Sequence, residues 1–177
     1  PKASGVLTIK NGFIFLQDFG EKSVEDVDLE SEEIASFSPY DSLAMDMRFV
    51  IERNFKIRNR RYLDLEISLT GELDAQKQTG GDLQLFGSLN GEKGYVRPLG
   101  KQFTLEDGRF TFSGPIGEPD LYVKTSYIPQ STQKEGNPII LYYIIEGSVD
   151  NPTFRFESDP QMEQQDIICY TLFNKPC

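Results

Sequence analysis

Apolar and polar residues alternate with a period of two through most of this chain. Leu63, Leu65, Ile67 and Leu69 interleave with Asp64, Glu66 and Ser68. Met45, Met47, Phe49 and Ile51 interleave with Asp46, Arg48 and Val50, and Phe55 and Ile57 continue that series. Successive side chains of a strand point to opposite faces, so this spacing predicts strands with one apolar and one polar face. Further along, Leu121, Val123, Thr125 and Tyr127 share a face, and Phe154 and Phe156 alternate with Thr153, Arg155 and Glu157. The run Ile139 to Glu146 is apolar on both faces, which predicts the most buried strand.

Glycine dipeptides punctuate the pattern at Asn11-Gly12, Asn90-Gly91 and Asp107-Gly108. Asn-Gly and Asp-Gly suit a type I′ turn, whose central residues both need positive φ, so each pair predicts a hairpin tip. With Asp107-Gly108 at the tip, Glu106 faces Arg109, Leu105 faces Phe110 and Phe103 faces Phe112. Phe103, Leu105, Phe110 and Phe112 then share one face; Thr104, Glu106, Arg109 and Thr111 share the other. The same logic sets Ile9 against Ile14 and Leu7 against Leu16, and Leu85 against Val96.

The end of the chain changes character. After Pro160 and the polar run to Gln165, Ile168 and Leu172 lie four apart, and Cys169, Leu172 and Phe173 follow helical spacing. This predicts one short amphipathic helix, with Asn174 as a left-handed cap and Pro176 forbidding continuation. Cys169 and Cys177 lie near the end without metal-ligand spacing; they are close enough to pair, and two free thiols are the default expectation. The segment Asp18 to Glu33 is rich in acid. It lacks the ligand spacing of a calcium loop, so a solvated loop or a short helix near Ser31 to Phe37 is the simpler expectation than a cation site.

Composition removes several functions. The 177 residues carry a net charge of -10, with no His and no Trp. An acidic chain repels nucleic acid, and the lack of His removes His-based triads and most zinc sites. A carboxylate-pair glycosidase is a rival reading, but outward strand positions explain the acids and no Trp is present to stack sugars. No catalytic residue, cofactor or metal is therefore expected. The longest apolar run is far short of the roughly 20 residues of a membrane helix. The chain opens on Pro1, which predicts a piece of something longer. It is expected to form a single β-rich domain, an all-β meander of about ten strands with one helix. Its apolar faces must be covered. A closed barrel or sandwich covers them internally, and pattern alone favours that; an open trough leaves them for a ligand.

The order of motifs from Ala44 onward shifts that balance. Gly94-Tyr95, Leu99-Gly100-Lys101-Gln102-Phe103, Glu106-Asp107-Gly108-Arg109-Phe110-Thr111-Phe112-Ser113-Gly114 and Pro119-Asp120-Leu121 follow one another. Glu146-Gly147-Ser148-Val149-Asp150-Asn151-Pro152, Phe156-Glu157-Ser158-Asp159-Pro160 and Asp166-Ile167-Ile168-Cys169-Tyr170-Thr171-Leu172-Phe173 come after. This succession resembles the C-terminal domain of the TamB family, with Asn54 to Arg58 and Leu69 to Leu73 resembling its preceding strands. The resemblance implies a β-taco: a long, curled, mostly antiparallel sheet forming a U-shaped apolar trough. It implies the periplasmic part of a protein anchored in the inner membrane by a helix outside this chain. It also implies an outer-membrane barrel partner of the Omp85 class, and a role in outer-membrane protein assembly, in phospholipid transport, or in both. On that reading Met45, Met47, Phe49, Leu63, Leu65, Ile67, Phe103, Leu105, Phe110, Phe112, Leu121, Val123, Phe154 and Phe156 line the trough, toward phospholipid acyl chains or client proteins. Ile168, Leu172 and Phe173 form a helix face that docks the partner or caps the sheet.

Overall fold

Each alternating block forms a strand in the computed structural model, which describes residues 1–15, 41–59, 64–116, 119–133 and 136–177. The acidic segment Asp18 to Glu33, Leu16 and Leu63 lie outside the described residues. In chain order come β1 (Lys2–Ile9), β2 (Gly12–Phe15), β3 (Ala44–Asn59), β4 (Leu65–Lys77) and β5 (Gln84–Val96). A single 3-10 turn (Pro98–Gly100) leads to β6 (Phe103–Pro115), β7 (Asp120–Tyr127), β8 (Ile140–Ser148), β9 (Asn151–Asp159) and the helix α1 (Gln164–Phe173). All belong to one nine-stranded sheet in the order β1-β3-β4-β5-β6-β7-β8-β9, with β2 also on β3. From β3 to β9 every neighbouring pair is antiparallel. The sheet is curled and not closed: its path ends at β1/β2 on one side and β9 on the other.

None of the glycine dipeptides is a hairpin tip. Asp107-Gly108 lies inside β6 and Asn90-Gly91 inside β5, so Leu105 and Phe110, like Leu85 and Val96, sit along one strand. Leu105 pairs with Thr125, while Phe110 pairs with Leu89 and Leu121. Nor do β1 and β2 pair with each other. They run end to end, both parallel to β3, so that Ile9 pairs with Ile51 and Ile14 with Ile57.

Asn90-Gly91 and Asp107-Gly108 mark β-bulges instead, and Asn11-Gly12 marks the break between β1 and β2. Leu105 and Asp107 pair with consecutive residues of β7, which leaves Glu106 as the extra residue. Lys93 and Gly91 pair with consecutive residues of β4, which leaves Glu92. On β3, Glu52 to Asn54 oppose the single Thr70, with Asn54 at φ 82. These irregularities sit side by side on neighbouring strands, beside the break between β1 and β2. They form a crease across the first two-thirds of the sheet, and bulges bend and twist a strand where they occur. Glycine is needed there for close approach at Gly94, where a Cβ would come within 2.7 Å of the Ile67 Cα and nearer still to the Glu66 carbonyl oxygen; at Gly91 a Cβ would meet Leu105 Cδ2 at 2.9 Å and Ile67 Cγ2 at 3.3 Å.

A single extra residue also reverses the facing of everything after it. Phe103 and Leu105 are odd-numbered and Phe110 and Phe112 even-numbered, yet all four belong to the buried or part-buried core. The bulge at Glu106 performs the inversion that a hairpin tip would have performed. Deleting Glu106 should therefore turn Phe110 and Phe112 toward water. At roughly 1.5–3 kcal/mol per apolar side chain, urea unfolding should report a loss of several kcal/mol. Glu106→Ala removes only an exposed carboxylate bonded to Ser126 and should cost under about 1 kcal/mol. Equal losses for the two variants would show that the bulge does not set the facing.

Candidate functional site

The inner face of the curl is one contiguous apolar cluster from Ile51 on β3 to Ile145 on β8, with Ile167 of α1 joined to it. Its hub is Phe103, which is fully buried. The Phe103 ring lies 5.3 Å from Tyr127, 6.2 Å from Tyr143 and 6.4 Å from Phe156, centroid to centroid. These residues sit on β6, β7, β8 and β9. In a flat sheet β6 and β9 would be about 14 Å apart, three strand spacings of roughly 4.8 Å. Ring contact across that span requires the sheet to bend sharply toward its apolar face.

Exposure along the trough is graded. At the end nearest α1, Leu65, Ile67, Val96, Phe103 and Leu141 are buried, and Thr125 is buried with its hydroxyl donating to the Tyr143 carbonyl at 2.9 Å. Toward the other end, Leu73, Ala75, Phe110, Leu121 and Val123 remain buried, but Met45, Met47, Phe49 and Phe112 are only half-buried. At the rims of that end Leu7, which pairs with Phe49, is 47% exposed and Phe154 is 44% exposed, the latter stacked on Tyr143. An open depression of about 460 Å³ lies at the same end, lined by Met45, Gln76 and Lys77 among others. Lys77 is itself buried, its ammonium donating to the Leu43 carbonyl at 3.1 Å.

The outer face carries the charge. Arg48 on β3 pairs with Asp74 on β4 at 2.8 Å, directly across the ladder. Lys56 and Arg58 both grip Glu66, at 2.6 and 2.8 Å. The hydrogen bond from Lys56 is the main reason the Glu66 carboxyl is held below its ordinary range. Arg97 pairs with Asp64 at 2.7 Å, and Arg155 with Glu146 at 3.1 Å and with Glu157. Such cross-strand pairs favour the register and keep this side in water.

Helix α1 seats against the sheet beside β9. Ile167 and Thr171 are buried, and Tyr170 packs on the core. Ile168 is half-buried, and Leu172 and Phe173 point outward at 37% and 62% exposure. Thr171 hides this face from a hydropathy pattern. It is tolerated in the interior because its hydroxyl donates to the Ile167 carbonyl at 2.8 Å. Asn174 is the expected left-handed cap, at φ 58, with its N–H on the Tyr170 carbonyl. Its side-chain oxygen accepts the Tyr127 hydroxyl at 2.9 Å and the Gln130 N–H at 3.4 Å. The cap turns the chain back and brings Cys177 to Cys169, with Cα atoms 5.6 Å apart. That lies within bridging range, and the two form a disulfide where free thiols were the default.

Tyr143 and Leu141 join the inner face in phase with Ile145, a period-two signal masked in the sequence by the equally apolar outer residue Ile144. Burial pushes the Tyr143 phenol up to about 12, whereas an unfolded tyrosine ionises near pH 10. The stability that depends on a neutral Tyr143 is intact below about pH 10 and is lost as pH rises through about 12. Tyr143→Phe should move the alkaline unfolding midpoint, followed by circular dichroism, to higher pH. Superimposable profiles would mean that Tyr143 is not the group that limits alkaline stability.

The chain matches the family model of the TamB C-terminal domain over residues 1–177, including the first 43 residues, which precede the motifs of the resemblance. The translocation and assembly module subunit TamB of Haemophilus influenzae is 30% identical over 108 residues, which is 61% of this chain and 8% of that relative. The matched stretch thus covers under a tenth of that relative's length. With a curled, open, largely antiparallel sheet and one helix among the described residues, the chain belongs to the TamB C-terminal domain family.

Proposed function

We propose that this domain is the terminal length of an apolar trough that shelters phospholipid acyl chains between the two membranes of a Gram-negative envelope. The observation that carries the reading is the gradient of the inner face. It is packed dry around Phe103 at one end and half-open at Met45, Met47, Phe49 and Phe112 at the other. Sheltering an acyl chain there removes it from water at roughly 0.8 kcal/mol per CH₂, and the outer face stays charged. The domain acts without catalysis, as part of a longer inner-membrane-anchored protein whose periplasmic portion includes this chain. A disulfide fits an oxidising compartment of that kind. An Omp85-class barrel of the outer membrane is the proposed partner, met by the outward Leu172 and Phe173 of α1 beside Ile168.

A second reading is favoured by the edge at β9, whose nine residues have β8 as the one strand neighbour among the described residues. An outer-membrane client could add a strand there by backbone pairing, which would make the domain a chaperone without lipid transport.

Photo-crosslinking in cells separates the two. With the probe at Met47 or Phe112, lipid adducts should form; at Thr111, on the outer face, they should not. Phe103, fully enclosed, should give none while α1 is seated. Adducts to client protein along β9 with no lipid at Met47 or Phe112 would favour the chaperone. Equal lipid yields at Phe112 and Thr111 would end the trough reading.

A further inference from the structure

We propose that thiol–disulfide exchange at Cys169–Cys177 decides whether α1 stays seated, and so whether the trough is closed or open at the end nearest α1. The inference rests on the trough reading and adds a control to it. The helix is held at two places. Before it, the Met162 N–H donates to Ser158 Oγ on β9 at 2.9 Å. After it, Asn174 accepts from Tyr127 and Gln130.

The second anchor lies inside the loop that the disulfide closes, since the bridge joins residues eight apart on either side of Asn174. The bridge thus restricts the left-handed cap that aims the Asn174 side chain at β7. Between the anchors Ile167 and Thr171 are buried, and beside the first anchor an open depression of about 300 Å³ lies between the start of α1 and β9, lined by Phe156, Glu157, Ser158, Met162 and Ile167 among others. Behind it lies the aromatic hub around Phe103. Cys177 is exposed and Cys169 half-buried, so a thiolate can reach the bridge.

The exchange balances with an external dithiol as reductant. One thiolate of the dithiol attacks Cys177 Sγ and Cys169 leaves as thiolate. The second thiol of the dithiol then displaces Cys177. The helix side gains two electrons and two protons, and the dithiol becomes a disulfide. Released from its loop, Asn174 no longer holds its αL turn against Tyr127. The C-terminal half of α1 frays, and Tyr170 and Thr171 withdraw from the core.

The test uses the whole chain, oxidised or treated with dithiothreitol, together with a Cys169→Ser/Cys177→Ser double variant. Hydrogen exchange followed by mass spectrometry reads the seat, and the fluorescence of N-phenyl-naphthylamine reads apolar binding. On reduction, and in the double variant, exchange over α1 and the first half of β8 should speed at least tenfold. Exchange in β3 and β4 should be unchanged, and dye binding should increase. Asn174→Gly keeps the left-handed turn but removes the anchor, and should reproduce the effect with the disulfide intact. Identical exchange in both redox states, or faster exchange spread evenly over all strands, would overturn the proposal. Local loosening with no dye bound in either state would uphold the staple and remove the trough reading on which the cargo rests.

Discussion

A sheet with one apolar face and two unjoined edges cannot hide that face by closing hydrogen bonds around a barrel. Here it hides the face by bending, and contact between Phe103 and Phe156 across three strand steps is the clearest mark of that bend. The bend brings Tyr127 and Tyr143 onto the same ring. Aromatic side chains bury large areas in a small volume, so four of them gathered from four consecutive strands can close one end of the curl. Among the described residues the other end has no such gathering and is half-open. The gradient along the trough is thus a consequence of where the aromatics fall.

The two halves of the sheet bend by different means. From β7 to β9 the ladders run without irregularity, and curvature comes from side-chain packing. From β1 to β6 the crease of bulges supplies it, at the cost of ladder bonds: no pairs form between Asn90–Arg109 and Tyr95–Thr104 on β5 and β6. Glycine at the crease lets the inner surfaces press together where a side chain would meet Leu105 and Ile67. One device sets both shape and facing, because each single-residue bulge that bends the strand also inverts its alternation.

Much of this was legible. The trough wall followed from alternation, because burying one face fixes which residues share it. Met45, Met47 and Phe49, then Leu65 and Ile67, and Leu121 and Val123 all keep the facing that their spacing implies. The dipeptides misled for a physical reason. A hairpin tip and a one-residue bulge both invert parity and both favour Asn-Gly or Asp-Gly. The faces at Phe103 to Phe112 came out right while the connection was wrong. Pairing partners depend on which strands meet in space, and local sequence does not carry that information. The parallel docking of β1 and β2 on β3 is the clearest case. The buried face of α1 was obscured by Thr171, which satisfies its own hydroxyl. The cysteine pair needed the turn at Asn174, whose geometry spacing alone does not supply.

The placement of polarity decides what such a curl is suited to hold. The buried hydroxyl of Thr125 and the buried ammonium of Lys77 are both bonded to backbone carbonyls. Neither is spare for a sugar, a nucleotide or a charged substrate entering the trough. Charged pairs lie instead on the outer ladders at Arg48–Asp74, Lys56–Glu66 and Arg58–Glu66. What the inner face presents at its open end is thioether and phenyl surface, at Met45, Met47, Phe49 and Phe112. Methionine adapts its shape to whatever it meets, and an aromatic ring accepts methylene groups without demanding a particular partner. A surface of that kind discriminates by hydrophobicity and width more than by hydrogen-bond pattern. That is the selectivity that the proposed sheltering of flexible hydrocarbon chains would require.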